Sequence, residues 1–143
     1  MKCLPNPYGT IMKQRTAEIL ENTIGNYPEL ASCKSELIQA YELLLACHKG
    51  DGLIMTCGNG GSASDAAHLV GELMKGFKQK RELPAEQRVR FISAFPDDGS
   101  LLADGLQGTI RAVDLTAQAA FATAFANDVA PDMVFAQQVF GYG

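Results

Sequence analysis

The stretch Leu53-Ile-Met-Thr-Cys-Gly-Asn-Gly-Gly-Ser-Ala-Ser-Asp-Ala-Ala-His-Leu-Val-Gly-Glu72 decides how this chain is read. Leu53–Cys57 is short and apolar, the pattern of a strand buried in a parallel sheet. Gly58, Gly60 and Gly61 around Asn59 let the backbone turn sharply and leave amide N–H groups accessible. The spacing then predicts a helix over 62–77, with Ser62 or Ser64 able to cap it. The positive end of that helix favours an anionic or hydroxyl-rich ligand. Asn59 carries both a donor and an acceptor, which suits sugar hydroxyls. The plainer reading is a tight turn imposed by packing. Neither the G-x-G-x-x-G dinucleotide pattern nor the lysine of a phosphate-binding P-loop is present, so no nucleotide cofactor is expected.

Asp65, His68 and Glu72 stand at i, i+3 and i+7 and share one helical face. A carboxylate beside a sugar carbonyl can take the neighbouring proton while a partner group returns one, the chemistry of aldose–ketose interconversion. His68 and Glu72 at i, i+4 equally suit a divalent metal, although two ligands are too few to close a zinc site. The bland alternative for His68 is an interface or core histidine satisfied by Glu72 or Asp65. His48 falls in the last turn of its predicted helix, where the helix dipole favours it. Asn127 and Asp128 read either as a ligand-side loop or as caps for the helix opening near Pro131. Cys57 is expected to be buried at its strand end, with no base placed to activate it.

Outward from this segment, residues 10–25 read as a helix with Ile11, Ala17, Leu20 and Ile24 on its apolar side. Gly25-Asn26-Tyr27-Pro28 breaks it. A second helix runs from Ser32 to His48, with Leu37, Tyr41, Leu44 and Leu45 inward and Gly50-Asp51-Gly52 as its stop. Residues 1–52 therefore read as a helical hairpin and 53–143 as an α/β portion. In the latter, Leu83-Pro84-Ala85-Glu86 opens a helix, Val89–Phe95 is apolar enough to be buried, and Pro96–Gly99 is a turn. Arg111–Thr116 is a second strand, Gln118–Ala126 a helix, and Pro131–Phe140 another helix opening on proline. Strand and helix in alternation predict an α/β fold with a parallel sheet. Two strands make a poor stand-alone sheet, so an incomplete domain, or one completed by oligomerising, is expected.

The chain has 143 residues, 47% of them apolar, enough for one core but hardly two. Its formal net charge of -4 argues against a nucleic-acid binder, which would carry a basic face. Lys75, Lys78, Lys80 and Arg81 read as a solvated helix end that can also draw in a phosphate. Cys3, Cys33, Cys47 and Cys57 form neither a CxxC pair nor an even framework, which suggests free thiols in a reducing, cytoplasmic setting. No 18-residue apolar run exists, and the opening Met-Lys-Cys-Leu-Pro-Asn-Pro has no secretory pattern, so no membrane association is expected.

The run Cys57–Glu72 resembles the first ligand loop and helix of the sugar isomerase (SIS) family, most closely its phosphoheptose isomerase branch. Phe125-Ala-Asn-Asp128 followed by Val134-Phe-Ala-Gln-Gln-Val139 resembles the family's next signature, and the likeness covers essentially the whole chain. The resemblance implies a three-layer αβα sandwich around a five-stranded parallel sheet of flavodoxin-like type. Only the helical hairpin and first strands would be present here. It also implies a homo-oligomer, a tetramer or dimer, with sites between subunits. The positions of Asn59, Gly60, Gly61, Ser62, Asp65, Asn127 and Asp128 would line a sugar-phosphate site. Glu72 would act as catalytic acid/base, and His68 with Glu72 would hold zinc in some members.

Two departures stand out. The family commonly has Gly-Arg after the helix, where this chain reads Lys75-Gly76, leaving Lys75 or Lys78 to take the arginine's place. The serine/threonine-rich phosphate loop and the distal Gln and His of the family have no counterpart in these residues. The implied activity is interconversion of D-sedoheptulose 7-phosphate and D-glycero-D-manno-heptose 7-phosphate through an enediol. The competing reading is a non-catalytic SIS module that binds a sugar phosphate or another protein.

Overall fold

The computed structural model describes residues 12–143. Cys3, Ile11, the first residues of the helix expected from residue 10, and the opening Met-Lys-Cys-Leu-Pro-Asn-Pro lie outside them. The chain divides into two compact units at Gly50/Asp51.

In the first unit, helix α1 (Gln14–Asn26) ends where the Tyr27 amide donates to the Thr23 carbonyl. Pro28 then starts a 3-10 turn, Pro28–Cys33, because proline's fixed φ suits a first helical position. Helix α2 (Lys34–Lys49) follows, with His48 and Lys49 in its last turn beside the unbonded carbonyls. Lys34 and Glu21 form an ion pair between the 3-10/α2 junction and α1. No residue of α1 or α2 is fully buried, and Leu44, expected inward, is exposed.

The second unit is α/β, as the alternating pattern predicts. Strand β1 (Ile54–Thr56) pairs in parallel with β2 (Ala112–Asp114), in the register Ile54–Ala112, Met55–Val113 and Thr56–Asp114. Adjacent parallel strands require a crossover. Here it contains α3 (Gly61–Met74), α4 (Ala85–Ala94) and α5 (Gly99–Gly105). The Thr56 hydroxyl lies between the Ala66 carbonyl, 3.2 Å away, and the Val113 carbonyl, 3.4 Å away, so one side chain ties β1 to both α3 and β2. Ile54, Ala66 and Leu115 are buried around that junction and Ala103 on α5. After β2 come a 3-10 turn (Leu115–Ala117), α6 (Ala119–Asp128), a second 3-10 turn (Pro131–Met133) and α7 (Val134–Tyr142).

Several expectations need correction. Val89–Phe95 is not a buried stretch, because it belongs to a helix with one inward face. Arg88 reaches the Ala103 carbonyl and the Asp104 carboxylate of α5, whereas Val89 is 62% exposed and Ile92 and Phe95 are also exposed. The turn at Pro96 leads directly into α5, a helix that the sequence pattern does not predict. Gly99 lets α5 approach α4 because a Cβ there would run into the Phe91 carbonyl. The second strand ends at Asp114 rather than Thr116. The Asp114 carboxylate accepts the Thr116 amide at 2.8 Å and bends the chain into a 3-10 turn. Cys57 is exposed, since the chain leaves β1 there. Cys33, Cys47 and Cys57 are free thiols, and no described helix is long and apolar enough to cross a membrane.

Candidate functional site

Between β1 and α3 the backbone, rather than side chains, shapes the loop. Gly58 packs so closely under the first turn of α3 that a Cβ would strike the Ser62 carbonyl. Gly60 has φ 59, the left-handed region in which glycine alone is unstrained when ψ is -125. Helix α3 opens at Gly61 without a side-chain cap, so Ser62 and Ser64 do not take the expected capping role. Instead, the Ser62 hydroxyl donates to the Asn59 carbonyl and accepts the Asn59 amide, both at 2.9 Å. That pair locks the loop and leaves the Asn59 side chain as its variable polar group. The opening turn of α3 directs amides and the positive helix end toward this loop.

A cavity of about 540 Å³ lies against it. Gly58, Asn59, Gly60 and Ala63 form one wall; Leu115, Thr116 and Ala122 lie beyond the end of β2; Pro131, Asp132, Val134 and Phe135 close the remaining side. The site thus sits at the carboxyl ends of two parallel strands, where α/β sheets place ligands. The Thr116 hydroxyl is held by the Asp114 carboxylate, 2.7 Å from each oxygen. Asp114 is itself buried and anchored at the strand end.

The expected site residues do not all meet in this cavity. Asn59 and Gly60 line it, while Gly61 and Ser62 follow in the first turn of α3 outside its lining. Asp65, His68 and Glu72 continue along α3 and do not line it. His68 Nε2 lies 3.8 Å from Glu72 Oε1, with side chains 79% and 41% exposed. Asn127 and Asp128 occupy the last turn of α6 rather than a loop. They are exposed, and the Asn127 amide donates to Asp128 at 2.7 Å. Neither caps the following turn, whose N-terminal flank is Ala130. Thr116 and Asp132 are not singled out by the sequence. Thr116 falls inside the expected strand, and Asp132 reads as an ordinary acidic residue in a helix's first turn.

For a metal, His68 and Glu72 offer two donors, and no group of three or more His, Cys, Asp or Glu gathers among the described residues. They can form one edge of a tetrahedral site but not enclose it.

Position 76, where the family arginine would fall, is built for glycine. A Cβ there would run into the Gln79 carbonyl, and the Gly76 amide is taken by Gln107 Oε1 at 3.2 Å. Lys75 and Lys78 are exposed. Arg81, the next guanidinium, is turned onto backbone. Its Nε donates to Gly108 O at 2.9 Å and its Nη2 to Leu73 O at 2.6 Å, with Glu72 O more distant at 3.4 Å. Arg81 therefore fastens the carboxyl end of α3, where Glu72 sits, to the segment leading into β2. Arg81→Ala should lower stability by about 2 kcal/mol, because charge-assisted bonds to half-buried carbonyls are lost together. Urea denaturation measures this; an unchanged midpoint and slope would show that the fastening contributes nothing.

The SIS domain model matches residues 29–135. Phosphoheptose isomerase from Neisseria meningitidis serogroup B (strain MC58) is 31% identical over 135 residues, 94% of this chain and 55% of the relative. The one from Coxiella burnetii (strain Dugway 5J108-111) is 33% identical over 107 residues, 75% of this chain and 41% of the relative. Phosphoheptose isomerase from Neisseria gonorrhoeae superposes with a TM-score of 0.55 at 30% identity, over 91% of this chain and 54% of that one. The chain spans about half the length of the relatives it matches. A family match across that span, with the glycine loop set between a parallel strand and its helix, makes this chain a member of the SIS domain family.

Proposed function

We propose that this chain belongs to a phosphosugar isomerase and forms the glycine-loop side of its substrate site. D-sedoheptulose 7-phosphate and D-glycero-D-manno-heptose 7-phosphate are the interconverted pair. The observation that carries this reading is the cavity walled by Gly58–Gly60 at the strand ends, in a chain aligned along 94% of its length with relatives named phosphoheptose isomerase. In the proposed reaction a base takes the C1 proton of the ketose, giving an enediol, and returns it to C2. The hydroxyl proton passes from O1 to O2 through a second group. Glu72 is the proposed base.

Because Glu72 stands along α3 outside the cavity lining, the rest of the catalytic pocket is proposed to come from another polypeptide surface, to which a further copy in a homodimer or homotetramer contributes. The second group is proposed to be the family's distal histidine, which has no counterpart in these residues. Zinc at His68 and Glu72 is part of the same proposal and needs further donors from that surface; no step of the reaction is routed through it. A cytoplasmic setting is part of the same proposal, supported by the proposed sugar-phosphate substrate and by the free thiols at Cys33, Cys47 and Cys57.

The test is solvent proton exchange at C1 of sedoheptulose 7-phosphate in deuterated water, followed by NMR. Exchange with aldose formation is expected. Tight binding without exchange would instead establish the second reading, a non-catalytic sugar-phosphate-binding module, which the position of Glu72 outside the cavity favours. Repeating the assay with a chelator tests the metal; an unchanged rate removes zinc from the reaction.

A further inference from the structure

We infer that Asp132 and Thr116 form a hydroxyl-reading wall of the cavity, which takes the polyol part of the sugar and turns the phosphate away. The inference rests on the proposed sugar-phosphate site and assigns its polarity. The Thr116 hydroxyl has one proton, and the Asp114 carboxylate, 2.7 Å away through either oxygen, holds it. What Thr116 offers the cavity is therefore lone pairs. Asp132, on the same cavity, is a carboxylate and also only accepts.

Asn59, on the same cavity, carries a side-chain amide that can donate. Among the described residues, no Lys, Arg or His lines the cavity. A phosphate against Thr116 and Asp132 would set acceptor against acceptor and anion against anion. A sugar hydroxyl can donate to Asp132 or Thr116 while accepting from the Asn59 side chain. The arrangement thus selects for vicinal hydroxyls, and Asp132 becomes a specificity-determining residue that its exposed place on a short 3-10 turn had concealed.

The deciding experiment is calorimetric titration of the 143-residue chain with sedoheptulose 7-phosphate, unphosphorylated sedoheptulose and inorganic phosphate. Wild type is compared with Asp132→Ala and Asp132→Asn. Asp132 is exposed on its short turn, so both variants are expected to fold, with circular dichroism as the check. Asp132→Ala should weaken both sugars by the same factor, about tenfold, and leave inorganic phosphate unchanged. Tighter binding of phosphate or the phosphorylated sugar in either variant would put the phosphate at this wall and overturn the inference. Unchanged affinity for both sugars would overturn it as well, while sparing the proposed function. A wild-type chain that binds neither sugar would overturn both.

Discussion

Glu72→Gln should slow proton exchange at C1 of sedoheptulose 7-phosphate by about 10²–10⁴-fold, the range that a positioned general base supplies. Affinity for the sugar phosphate should stay within about twofold, since the amide keeps the side chain's size and one acceptor. The two readouts separate base from scaffold. Glu72 is partly exposed, its carboxylate 3.8 Å from His68 Nε2, and its carbonyl belongs to the end of α3 that Arg81 fastens. A merely structural role would therefore appear in stability and affinity, with exchange falling in proportion. Near-normal exchange in the Gln variant would remove Glu72 as the base, whatever its effect on binding.

Gly58→Ala is expected to be the most damaging small substitution in the site. The added methyl would enter the Ser62 carbonyl and lie 2.5 Å from the Ser62 carbonyl carbon and 2.6 Å from its hydroxyl oxygen. Backbone cannot rotate away as a flexible side chain can, so the first turn of α3 must lift from β1. A loss of about 2–3 kcal/mol is expected, together with loss of sugar binding. Gly61→Ala is the internal control, because nothing lies within 4 Å of the Cβ it would add. Equal denaturation midpoints for the two variants would show that the close approach at Gly58 does not constrain the loop.

The parts of the fold legible in the sequence are those with local causes. β1, the glycine turn and α3 follow one another with distinct signals, namely an apolar run, a glycine cluster and a helical period. Gly50 and Pro28 mark helix boundaries for reasons contained in single residues. The failures come where a cause lies at a distance in the chain. α5 is a seven-residue helix seated on α4 through Gly99, where a Cβ would meet the α4 backbone. β2 is cut short by its own Asp114, a side chain that bonds backbone instead of simply alternating along a strand.

The candidate site divides the same way. Asn59 and Gly60 are recognisable because loop chemistry is local. Thr116 and Asp132 join them only after β2 has been placed beside β1. Asn127 and Asp128 are expected between helices, whereas α6 extends through both of them.

That dependence on distant pairing has a consequence in time. The Thr56–Val113 contact joins residues 57 positions apart, and the register of β1 against β2 closes a loop of similar size. The crossover helices and the Arg88-linked α4–α5 hairpin require only short-range closure, and helical segments of this size form in microseconds. Closing the long loop costs entropy before any strand contact compensates for it, so the parallel pair forms late. The cavity has one wall at the end of each strand and cannot exist before they meet. During refolding, helical signal should therefore return first, and ligand recognition should arrive with the last phase.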